Sequence, residues 1–148
     1  MADIVDPTAL LEKIRDFSPW QRVLLGTAGT LQGTLSAYFG APVTVEVREQ
    51  RVEGDDLHRA VDLVCKDRGV VACHAVSVVH VEDERVRELV VEQNIGLGQI
   101  SALLGIRTTF ELVDAGRDDG TFWRDYLMAG EGFEYRIHES FPADLYSA

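Results

Sequence analysis

The sequence predicts an α+β fold, a single domain whose six-stranded, mainly antiparallel sheet carries helices packed on it. Three observations lead there. Apolar residues recur at helical spacing as far as Gly40 and alternate with polar ones from Pro42 onward. Most strand-like stretches are joined by short glycine-containing turns, which favours hairpins over parallel crossovers. With 148 residues there is room for one sizeable core and little for a second, so residues 1–148 read as one domain.

The elements follow in order. Residues 7–16 read as a short helix, with Pro7 in its first turn and Leu10, Leu11 and Ile14 at helical spacing. Ser18 is an N-cap candidate for a second helix, Trp20 to Leu25. The small-residue turn Gly26-Thr27-Ala28-Gly29-Thr30 leads to a third, with Leu31, Leu35, Tyr38 and Phe39 on one side and Gly40 at its end. Val43, Val45 and Val47 then alternate with Thr44, Glu46 and Arg48 as a half-buried strand. Residues 57–66 and 70–80 form two more strands, joined by a hairpin turn at Asp67-Arg68-Gly69. Asp83 caps a helix predicted from Glu84 through Val91, and Gly96-Leu97-Gly98 lies in the loop after it. Thr108 to Asp114, Phe122 to Ala129 and Glu134 to Phe141 complete the six strands, with turns expected at Gly116 to Gly120 and Gly130 to Gly132.

Composition excludes several classes. A 46% hydrophobic share rules out a disordered chain. The net charge of −11, spread along the sequence, argues against nucleic acid or an anionic membrane as partner, though not against a small anion held by local cations. The acidic start has no signal-peptide character, and Val70 to Val79 is too short and too polar to span a bilayer, so a cytoplasmic protein is expected. Cys65 and Cys73 fall within strands and are expected as buried packing residues, not a disulfide framework or a zinc site.

Alternation puts two charges on the core face. Leu57, Arg59, Val61, Leu63 and Cys65 share one side of their strand, as do Tyr135, Ile137, Glu139 and Phe141. A buried charge without a partner costs several kcal/mol, so Arg59 and Glu139 each need one. Either they pair with each other as an internal salt bridge, or they line a cavity that takes a small polar ligand. The remaining candidates point to structure. His58, His74, His80 and His138 are scattered without metal-ligand spacing, and Gly96-Leu97-Gly98 lacks the third glycine of a dinucleotide fingerprint. Trp20 and Trp123 read as packing residues. The charges from Glu82 to Glu88 read as a solvated helix face.

Four landmarks, in order, resemble the chorismate lyase family in its shorter archaeal and actinobacterial branch. They are Leu-Leu-Gly-Thr-Ala-Gly-Thr at 24–30, His-Arg-Ala-Val-Asp-Leu containing Arg59 with Ala-Val-Ser-Val-Val at 75–79, Gly-Leu-Gly at 96–98, and Glu-Ser-Phe-Pro at 139–142. The resemblance implies conversion of chorismate to 4-hydroxybenzoate and pyruvate, with no cofactor and no metal. It implies that Arg59 binds the aromatic carboxylate, assisted by backbone amides at Gly29 and Leu97, and that Glu139 contacts the ring hydroxyl. Thr30 and Ser77 complete the substrate-binding set that the resemblance implies. Apolar surroundings would keep Glu139 protonated and able to donate. Many members carry an arginine where this chain has Val76, so Arg107 or Arg124 is the candidate for the second carboxylate. The helical pieces near Thr30 to Gly40 and Gly98 to Leu104 are candidates for a flap. A binding protein for aromatic carboxylates, or a same-fold enzyme acting on another cyclic substrate in secondary metabolism, is the alternative.

Overall fold

A computed structural model describes residues 6–29, 31–92 and 103–145. Three helices come first: α1 (Pro7–Ile14), α2 (Pro19–Gly26) and α3 (Leu31–Phe39). The Asp6 carboxylate accepts from the amides of Thr8 and Ala9, and the Gln21 side chain accepts from the amide of Ser18, the expected N-cap, so side chains fix both helix starts. α1 stops at Ile14, two residues short of the expected end. Its Ile14 joins Leu24 and Leu25 of α2 and Leu31, Leu35 and Phe39 of α3 in the core.

The sheet contains β1 (Thr44–Glu53), β2 (Asp56–Cys65), β3 (Val70–Val81), β4 (Thr108–Asp118), β5 (Thr121–Gly130) and β6 (Phe133–Pro142). Its order is β1-β2-β3-β6-β5-β4 and every pairing is antiparallel. The expected α+β architecture is therefore present, with one connected core between the sheet's inward face and the helices. The β2–β3 link is a 3₁₀ turn over Lys66–Arg68, and Gly69 closes it at φ 65°, a left-handed value that suits glycine.

Two further elements differ from expectation. After Asp83, α4 covers only Glu84–Arg87 before the chain widens into a π-helical turn at Glu88–Glu92. The expected turn from Gly116 is strand instead, because β4 runs on to Asp118. Gly116 serves packing there: a β-carbon at this position would stand 2.5 Å from the Trp123 ring. Among the described residues, no helix is long and apolar enough to cross a membrane.

Candidate functional site

Strand register sets the site. Arg59 on β2 lies opposite Ser77 on β3, Ser77 opposite Ile137 on β6, and Ile137 opposite Tyr126 on β5. The neighbouring inward row runs Val61, Ala75, Glu139 and Arg124. Arg59 and Glu139 thus stand two strands and one two-residue step apart, roughly 12 Å between backbones at ordinary sheet spacings. Between them, β3 offers two small side chains, Ala75 and Ser77, both buried.

Both predicted charges are inward, with Arg59 3% and Glu139 4% exposed. Burial pulls the Arg59 pKa down from its ordinary value. The salt-bridge alternative named the wrong partner for Glu139, because its cation is Arg124, a fully buried residue on β5. Arg124 Nε donates to Glu139 Oε1 at 2.6 Å, and Nη1 donates to the carbonyls of Leu25 at 2.8 Å and Thr27 at 2.7 Å. The Tyr126 hydroxyl donates to Glu139 Oε2 at 3.4 Å, and its ring lies 4.4 Å from the Arg124 guanidinium carbon. Burial opposes the charge on Arg124, but the Glu139 carboxylate and Tyr126 outweigh it and leave the Arg124 pKa raised. Burial first, and then Glu139, push the Tyr126 phenol and the Cys73 thiol well up, so both remain neutral.

The surroundings of Glu139 are therefore not the apolar ones expected. A guanidinium buried at hydrogen-bond distance calls for an anionic partner, which makes Glu139 an acceptor. The sequence offers Arg124 only as a candidate for a second carboxylate. The signal for its inward position was in the same alternation, since Phe122, Arg124, Tyr126 and Met128 share one face of β5. Arg107, the other candidate, is exposed. Val76 lies on the outward face with 59% exposure, so a longer side chain there would leave the sheet on the side away from Arg59 and Glu139.

Gly29 lies in the turn after α2, at φ 85°. Thr30 and Leu97 lie outside the described residues, as does most of the second flap candidate. The first is largely α3, which three buried side chains fix to the core. Cys65 and Cys73 are buried free thiols. Each of the four histidines sits on the outward face of the sheet beside a carboxylate: His58 by Glu53, His74 by Asp62, His80 by Asp56 and His138 by Asp125. Asp62 belongs to the outward set, as alternation requires, but Arg48 and His74 cover it almost completely. A groove of about 330 Å³ also opens on this outward face, bordered by Val76, Val78, Val113, Leu127, Arg136 and His138.

No family model matches the chain, and no curated protein matches it. The site thus holds a buried cation, Arg59, and a buried acceptor, Glu139, on separate strands beside the small side chains of Ala75 and Ser77.

Proposed function

We propose that the protein is a cofactor-independent carbon–oxygen lyase that converts chorismate to 4-hydroxybenzoate and pyruvate. The observation that carries this reading is the inward placement of Arg59 and Glu139 on either side of Ala75 and Ser77. The order of the sequence landmarks supports it. In the reaction the ether bond at ring C3 breaks, the ring loses its hydrogen at C4, and the enolpyruvyl methylene gains one. Aromatisation supplies the driving force, so the protein chiefly binds and orients in a dry site. Arg59 would grip the ring carboxylate with its fork of donors. Glu139, held by Arg124 and Tyr126, would accept from the ring hydroxyl. The donor role suggested by sequence alone gives way to that of an acceptor.

Pyruvate release tests the reading. Wild-type protein mixed with chorismate, coupled to lactate dehydrogenase and NADH, should show a steady fall in absorbance. Glu139→Gln, which keeps an oxygen for Arg124, should fold and lose about 100-fold or more in turnover. Arg59→Ala should raise KM by about tenfold or more, the worth of a charge-assisted bond. A flat wild-type trace alongside tight 4-hydroxybenzoate binding would replace the lyase with a binding protein.

A further inference from the structure

In the lyase reading Arg124 touches no reacting atom, yet its surroundings are more closely specified than those of any other described cation. One planar group bonds to three acceptors drawn from two parts of the chain: the Glu139 carboxylate on β6, and the Leu25 and Thr27 carbonyls where α2 ends. The directions of guanidinium N–H bonds are fixed, so these acceptors are tied into one plane. The carbonyls at a helix C-terminus also lack helical partners and carry its negative end, which makes them a firm anchor for a cation. The Tyr126 ring, 4.4 Å from the guanidinium carbon, packs beside it.

We propose that Arg124 is a positioning residue: anchored on the Leu25 and Thr27 carbonyls, it fixes the orientation of the Glu139 carboxylate and so sets the site's selectivity for a ring hydroxyl. This rests on the assignment of Glu139 to the ligand hydroxyl in the lyase reading. A lysine would keep the charge, but its rotating ammonium group cannot hold three acceptors in one plane.

The test compares two acids that differ only in that hydroxyl. Calorimetric titration of wild-type protein should give affinity for 4-hydroxybenzoate at least about tenfold above that for benzoate, the worth of a hydrogen bond to a charged group. In Arg124→Lys the benzoate affinity should stay within about threefold of wild type, while the preference for the hydroxyl falls to within about threefold of unity. An unchanged preference would overturn the proposal, and so would an equal loss of affinity for both acids, which is what a purely structural arginine predicts. If Arg124→Lys does not fold, the uncharged pair Arg124→Gln with Glu139→Gln takes its place, compared with Glu139→Gln alone. Equal preference in those two proteins is expected, because the effect passes through Glu139; a further loss overturns it. Wild-type protein that shows the preference but releases no pyruvate from chorismate removes the lyase reading and leaves this one standing. Protein that binds neither acid removes both.

Discussion

Arg124 and Glu139 form a buried ion pair in which Nε and Nη1 of the guanidinium are hydrogen-bonded, while Nη2 has no partner among the described residues. A guanidinium moved out of water loses hydration worth several kcal/mol, and here a carboxylate and two carbonyls replace it. Removing one member leaves the other charge stranded. Arg124→Met should therefore lower unfolding free energy by about 3–5 kcal/mol, read from urea denaturation. Replacing both with apolar residues should recover most of that loss, since the penalty belongs to the unpaired charge. If the double variant is as unstable as the single one, the packing of the arginine stem, not its charge, holds this part of the core.

At the scale of elements, period-two alternation was enough to place Arg59 and Glu139 on the inward face, because the inward sides of β2 and β6 are otherwise apolar. It could not name the partner of Glu139. That depends on strand order, in which β6 lies between β3 and β5, a long-range pairing that local pattern does not encode. Gly116 misled for a related reason. A glycine near Asp118 to Gly120 resembles a turn, but its role is set by Trp123 across the β4–β5 hairpin. Gly116→Val should displace the indole and destabilise by about 1–3 kcal/mol, with an altered tryptophan emission and a lower urea midpoint. On the outward face, His80 Nδ1 stands 2.7 Å from Asp56, and hydrogen bonds to Asp56 and then Glu82 raise its pKa. A raised folded-state pKa gives a contribution that is complete below the unfolded value of about 6.5 and is lost as pH rises through the folded one. The His80 ring protons should accordingly titrate with a midpoint above about 6.5 in proton NMR, and His80→Gln should cost more stability at pH 6 than at pH 9.

The whole molecule is two-layered, and its sheet faces two environments. The inward side meets the helices and carries Arg59, Ser77, Arg124 and Glu139; the outward side carries the histidine–carboxylate pairs and a valine-lined groove. Each side offers a cation to a small aromatic acid, since Arg136 borders the groove. The proposed lyase site lies on the inward side, where the cation is desolvated and its electrostatic attraction is least screened. Amide and arginine-side-chain NMR during titration with 4-hydroxybenzoate decides between the two most directly. The account predicts the largest shifts at the Arg59 Nε–H and the amides of Gly29 and Ser77. Shifts confined to Val76, Val113, Arg136 and His138, or no shifts at all, would contradict it.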